Sequence, residues 1–282
     1  MKINHLKYPK IDFKAYDNCI EQSSQRRIYA LSWYLDIISP GWELLMADNY
    51  SYVMPIPVKK KFLISKSAIQ SSASQQLGIF SAKELDAKIF KSFIDAIPCR
   101  SYDLRFNPNN IFSYSNLGVC TNYILDLNRS YENIKEKYKQ DRLRIVESPQ
   151  NLVFEKSENI ESYWDFIVTN CNSHRDLRNL QKFRLIVDEA VKRELFEIWI
   201  AKGSHKNELK ASVCLLKWEG RIYYSHPAST QQQAMTCLLD RCIKEYANSD
   251  LVLDFMASSS PTSARFIESF GAVFEPYPRL TK

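Results

Sequence analysis

Several things are scarce in this chain of 282 residues, and each scarcity excludes a class of protein. Nowhere do about 18 apolar residues run together, and no apolar stretch follows Met1-Lys2-Ile3-Asn4-His5, so neither a membrane-spanning helix nor a signal peptide is expected. A cytoplasmic location is the expectation. The seven cysteines are odd in number and lack Cys-x-x-Cys spacing. They read as reduced, structural thiols. Four histidines, His5, His174, His205 and His226, show no metal-ligand spacing, so no metal is expected. Glycine occurs only six times. Neither a Gly-x-Ser-x-Gly elbow nor a Walker-type loop is present, which removes the common hydrolase and NTPase readings.

What is present describes an ordinary globular protein, with 45% hydrophobic and 25% charged residues. The length suits two domains. A net charge of +6 is too small to name a partner, yet two basic clusters stand out. One is Lys59-Lys60-Lys61 with Lys66. The other runs from Lys135 to Arg144, where Lys135, Lys137, Lys139, Arg142 and Arg144 outweigh Glu136 and Asp141; it is either a solvated helix face or a surface that meets phosphate.

The order of elements repeats. A mostly helical segment over Tyr16–Leu35 leads to strands at Trp42–Met46 and Tyr50–Val58, a helix at Ala82–Ile97, and strands at Tyr102–Phe106 and Asn122–Leu127. In the second half, helices at Ile160–Cys171 and Asn179–Leu195 precede strands at Phe196–Ala201, Leu209–Trp218 and Ile222–Ser225. The second of these helices carries an apolar stripe of Phe183, Ile186, Val187, Ala190 and Val191. A helix at Gln231–Ala247, a strand at Leu251–Met256, a helix at Pro261–Phe270 and a strand at Val273–Tyr277 complete the pattern. The two long helices lie roughly 150 residues apart, which implies a repeated architecture. The expected organisation is a module over 1–147, including the charged segment Asn128–Glu147, and a second over 148–282, divided at Ser148-Pro149.

Candidate chemistry lies in the second half. Tyr223 to Thr230 is a strand running into a helix N-terminus, where unpaired N–H groups and the helix dipole favour an anion; Ser229, Thr230, Gln231, Gln232 and Gln233 form that turn, without a glycine. Asp254 sits among apolar residues of a central strand, so its carboxylate requires a cation or several N–H donors. It is either a structural ion partner or cap for the Ser258–Pro261 turn, or an amine ligand or general base. His226, at a strand end before a proline, is a candidate base. Tyr223 and Tyr224 alternate faces, so one is expected in the core and the other toward a cleft. Ser260 and Pro261 read as cap and first residue of a helix.

Several strings resemble the GNAT superfamily, and within it the tandem members related to Fem-type peptidyltransferases. They are Gln75-Gln76-Leu77-Gly78-Ile79-Phe80-Ser81, the Tyr/Lys/Arg-rich segment Tyr131–Arg144, Gly220–Ser225, Leu253-Asp254-Phe255, and Ala264-Arg265-Phe266 leading to Phe270-Gly271-Ala272. The resemblance implies an α/β fold of two tandem GNAT-like modules with mixed sheets, each splayed near its middle, around a cleft for donor and acceptor. It implies an N-acyltransferase that moves an acetyl or other acyl group from acyl-CoA to an amine acceptor, small molecule or peptide, with Asp254, His226 and Tyr224 lining the cleft and Ser229–Gln233 beside the donor. Fem-type relatives instead take an aminoacyl group from tRNA, which the basic linker helix would meet. Two departures stand out. The donor turn lacks the family's spaced glycines, and Ile267 occupies the place of the usual tyrosine acid, so an acid would come from Tyr224 or water. A non-catalytic binding module with the same fold is the remaining alternative.

Overall fold

The computed structural model describes the chain except residues 62–64, 149–150, 171–176, 205–207 and 257–259. His174, His205, Cys171, Pro149 and the turn residues Ser258 and Ser259 therefore lie outside the described residues, as do the side chains of Lys60 and Lys61. Two compact units are present: residues 1–121 with 276–282, and residues 122–275.

In the first unit, β1 (Asn4–Leu6), β2 (Glu43–Ala47) and β3 (Tyr52–Ile56) form an antiparallel sheet. The expected long helix of Tyr16–Leu35 is divided into α1 (Phe13–Gln22) and α2 (Ser32–Ile38). Asp17 braces the restart. Its carboxylate accepts from the Ser32 amide and hydroxyl, so the chain restarts at Ser32 with a side-chain cap drawn from the earlier helix. A second set of strands follows, β4 (Val58–Lys61) antiparallel to β5 (Ser65–Ile69), and β5 parallel to β6 (Ser101–Arg105). Between them α3 (Ala87–Asp95) starts later than the expected Ala82, because Asp86 is the N-cap and accepts from the Ile89 amide at 2.6 Å. The chain's last residues close this set: Arg279, Leu280 and Thr281 pair antiparallel with β6. Phe90, Phe93, Leu104 and Phe106 are buried at the centre of its core. Of the first basic cluster, Lys66 is bonded to the buried carboxylate of Glu43, which also meets His5 Nε2 at 2.5 Å.

The second unit is built on a mixed sheet. β7 (Leu117–Asp126) enters it at Asn122, and α4 (Tyr131–Lys135) and α5 (Gln140–Glu147) follow. Then come β8 (Leu152–Ser157), α6 (Glu161–Asn170), α7 (Leu177–Lys192), β9 (Phe196–Gly203), β10 (Leu209–Trp218) and β11 (Arg221–Ser229). The chain continues through α8 (Gln232–Tyr246), β12 (Val252–Asp254), α9 (Pro261–Glu268) and the start of β13 (Val273–Thr281), which from residue 276 belongs to the first unit. Strand order within the unit is β7-β12-β11-β10-β9-β8, antiparallel except for the parallel pair β11 and β12. The apolar face of α8, with Leu238, Leu239 and Ile243 fully buried, packs on Val213, Leu215 and Ile222 of the sheet.

The charged segment after β7 is fastened to this unit by polar contacts. Tyr131 and Tyr138 both donate to Asp240 Oδ1 on α8, at 2.8 and 3.1 Å. Burial raises the pKa of Asp240, and the two hydroxyls oppose that rise. Arg142 reaches Ser269 Oγ and Thr236 Oγ1 and lies over the Phe266 ring, while Lys135 pairs with Glu147. Two of the five basic residues of the segment, Lys135 and Arg142, are thus engaged by the protein itself. Among the described residues, no helix is long and apolar enough to cross a membrane.

Candidate functional site

The sheet of the second unit opens between β11 and β12. Arg221, Ile222 and Tyr223 pair with Val252, Leu253 and Asp254, after which β12 ends while β11 continues to Ser229. On its other side β11 kinks just past the same point. Cys214 faces Ser225 and Ser212 faces Ala228, so His226 and Pro227 together oppose the single residue Val213. This is a β-bulge. Pro227 disfavours the right-handed helical region for the residue before it, and His226 takes a left-handed backbone at φ +49°. A non-glycine residue held there costs about 1–3 kcal/mol, and such strain concentrates at functional sites.

The bulge fixes the imidazole. Its Nδ1 is 2.5 Å from the hydroxyl of Ser225, a buried residue. One ring face stacks on Phe183 of α7, with centroids 3.4 Å apart and planes 12° from parallel. Phe183 in turn stacks on Trp164 of α6, whose ring carries the Arg184 guanidinium at 5.4 Å. Nε2 has no hydrogen-bond partner among the described residues. Burial lowers the imidazole pKa to about 4, so His226 is neutral at neutral pH. A stability test follows. The unfolded chain protonates this histidine below the ordinary value of 6.5 whereas the native state resists until about 4, so protons favour unfolding in that window. Stability is expected to fall as pH drops from 6.5 toward 4, and the slope should shrink in His226→Gln, as read from urea unfolding across that range.

Asp254, the last residue of β12, is fully buried. Its Oδ2 accepts from Arg221 Nη1 at 2.8 Å, and its Oδ1 accepts from Asn122 Nδ2 at 3.0 Å and the Met256 amide at 2.9 Å. Glu275 joins the network, bonded by Arg221 Nη2 at 2.9 Å and by Asn122 at 3.0 Å. Burial acts to lower the Arg221 pKa, but the two carboxylates outweigh it and hold the guanidinium above its usual range. Both oxygens of Asp254 are thus occupied, and the network ties β12 to β11 and to the segment around Glu275.

The tyrosines do not divide between core and cleft as their alternation predicts: Tyr223 is fully buried and Tyr224 is 5% exposed. The Tyr224 hydroxyl meets Met235 Sδ of α8 at 3.1 Å and its ring packs on Phe255. The bulge comes after Tyr224 and turns His226 toward α7. At the start of α8, Gln231 is the N-cap without a side-chain cap bond, and Thr230, Gln231, Gln232 and Gln233 are all exposed. Ser229 is half-buried, and the Thr230 amide donates to the Lys210 carbonyl. Ile267 is buried in the core. Ser225, Phe183 and Trp164 were not singled out as site residues by sequence reasoning. Phe183 was legible only as part of an apolar stripe, and Ser225 only as the residue beside a histidine.

No protein-family model matches the chain, and no curated protein matches it. Solved structures do match. A crystal structure of FemX superposes with a TM-score of 0.64 at 10% identity, covering 99% of this chain and 97% of that one. The C-terminal domain of a putative lysylphosphatidylglycerol synthetase from Agrobacterium fabrum gives 0.56 at 11% identity, covering 96% and 91%. A tandem GNAT protein from the clavulanic acid biosynthesis pathway gives 0.50 at 10% identity, covering 99% and 97%. At these identities the likeness is one of fold: the chain has the mixed α/β fold of Fem-like tandem GNAT proteins.

Proposed function

We propose that this protein is an N-acyltransferase, which moves an acyl group from an activated donor to an amine at the opening between β11 and β12. The observation that carries the reading is the bulge at His226. It sets a neutral imidazole, with an Nε2 that has no partner among the described residues, on the stretch of β11 that follows its last pair with β12; in this reading an extended donor lies along that stretch. Acyl transfer needs polar groups aimed at a carbonyl whose oxygen gains charge, in a site that limits water. In this reading His226 is that group, and the Trp164 and Phe183 rings stack beside it as an apolar wall.

In this reading Asp254 holds the end of β12 in position, Tyr224 supports the bulge from the α8 side, and the Ser229–Gln233 turn receives the anionic part of the donor. The donor proposed first is acetyl-CoA or another acyl-CoA. The turn has no glycine for a close phosphate approach, and the basic segment bearing Lys137, Lys139 and Arg144 belongs to the same unit. Those features favour an aminoacyl-tRNA donor as the second reading.

Calorimetric and thermal-shift titration with acetyl-CoA and CoA separates the two. A ligand that binds only the native state adds about 2.7 kcal/mol of stability at 100 times its dissociation constant. A clear rise in melting temperature is the result expected for an acyl-CoA enzyme. No rise at millimolar ligand eliminates that donor; transfer of the aminoacyl group from a labelled aminoacyl-tRNA to an amine would then support the second, whereas salt-sensitive binding without transfer would point to a tRNA-binding module. Failure of both would leave a binding module with a transferase fold.

A further inference from the structure

We infer that His226 acts in this reaction as a neutral hydrogen-bond donor through Nε2–H, set in that state by the Ser225 hydroxyl, and not as the base that deprotonates the amine. The inference rests on the acyl-transfer reading above. It follows from counting donors and acceptors at the bulge. The Ser225 hydroxyl has one proton to place, and the acceptor it meets among the described residues is Nδ1, at 2.5 Å. If Nδ1 carried the proton it would donate to Oγ, and the buried hydroxyl proton would then have no acceptor among the described residues. With Oγ–H donating to Nδ1, both of these atoms are satisfied and the ring proton resides on Nε2, the nitrogen without a partner among the described residues. Parallel stacking on Phe183 at 3.4 Å holds the ring in one plane, so the Nε2–H direction is fixed before a donor arrives.

The chemistry then balances without a proton passing through the imidazole. The amine lone pair forms the new C–N bond. The carbonyl π pair moves onto oxygen, where Nε2–H donates to the growing negative charge. When the intermediate collapses, the C–S or C–O bond of the thioester or ester breaks, and the leaving sulfur or oxygen takes the proton that the amine nitrogen gives up, directly or through water. His226 takes up no second proton in these steps, since its burial disfavours the imidazolium, and Ser225 is a positioning residue.

Long-range 1H–15N spectra of histidine-labelled protein near pH 7 test the assignment without any substrate. The His226 signals, identified by their loss in His226→Gln, should show a protonated Nε2 and a bare Nδ1. Ser225→Ala should move the Nδ1 resonance, and Ser225→Thr should restore it. A protonated Nδ1 in the wild type overturns the inference. Transfer from acetyl-CoA to hydroxylamine supplies the second readout. His226→Ala should lose about 10²-fold in kcat, as for removal of one oxyanion donor, while His226→Gln, which retains an N–H donor but no base, should stay within about tenfold of wild type. Equal loss in both variants overturns the donor role and favours a base. A wild type that transfers nothing overturns the acyl-CoA reading and the donor role within it, whatever tautomer the spectra show.

Discussion

Replacing Arg221 by methionine is expected to cost about 3–5 kcal/mol of folding free energy, the range found when one partner of a buried ion pair is removed. Arg221 lies between two carboxylates, at 2.8 Å from Asp254 and 2.9 Å from Glu275, with only 16% of its side chain exposed. Asp254 is fully buried. Methionine fills much of the same volume, so the loss would report the stranded charges and not a cavity. Asn122 and the Met256 amide would still donate to Asp254, but neither carries a positive charge to balance it. Arg221→Lys should lose less while remaining destabilised, since one ammonium cannot reproduce the fork that reaches two carboxylates. Urea unfolding of the three proteins is the measurement. A change under about 1 kcal/mol for Arg221→Met, the size of an exposed pair, would show that the network does not secure β12.

In the first unit, Gly78 is a position with no room for a side chain. Its backbone is held at φ +99°, and a Cβ added there would lie 2.5 Å from Asn110 Oδ1 and 2.6 Å from the Phe106 ring. The asparagine cannot move aside freely. Its Oδ1 accepts from the Ile79 amide at 2.7 Å, and its Nδ2 donates to Asn107 Oδ1 and the Ile79 carbonyl. Asn107, also fully buried, donates to Leu77 and Ile79 carbonyls. Gly78→Ala therefore combines backbone strain with overpacking against a hydrogen-bonded clamp, and about 3–4 kcal/mol of destabilisation is expected. Gly41→Ala is the control. Gly41 also has a positive φ, +76°, but its added Cβ would meet nothing within 4 Å, so only strain of about 1–2 kcal/mol should appear. Equal losses in the two variants would show that the asparagine clamp contributes nothing.

Much of the secondary structure was legible where one residue type dominates a period. The strand Leu209–Trp218 and the start of the helix at Pro261 coincide with their sequence assignments, and α8 differs by one residue at each end. β8 is not legible in the sequence pattern: Leu152–Ser157 is short, only partly buried and carries Glu155 and Lys156, as an edge strand does. The division of the first long helix is not legible either, since Asp17 braces the restart at Ser32 from fifteen residues away.

At the candidate site, sequence alone determined that Asp254 needed a partner, that His226 stood at the end of a strand before a proline, and that a helix began just beyond. Burial inferred from apolar neighbours and the fixed geometry of proline are local properties, so a single chain of letters carries them. Tertiary structure decided that the partner is Arg221 with Asn122, that the strand bulges at His226, and that Phe183 and Ser225 hold its ring. Strand pairing and helix packing bring these groups together over separations of one to more than a hundred residues. Hydrogen bonding and desolvation depend on distances in space, and those distances exist only in the folded chain.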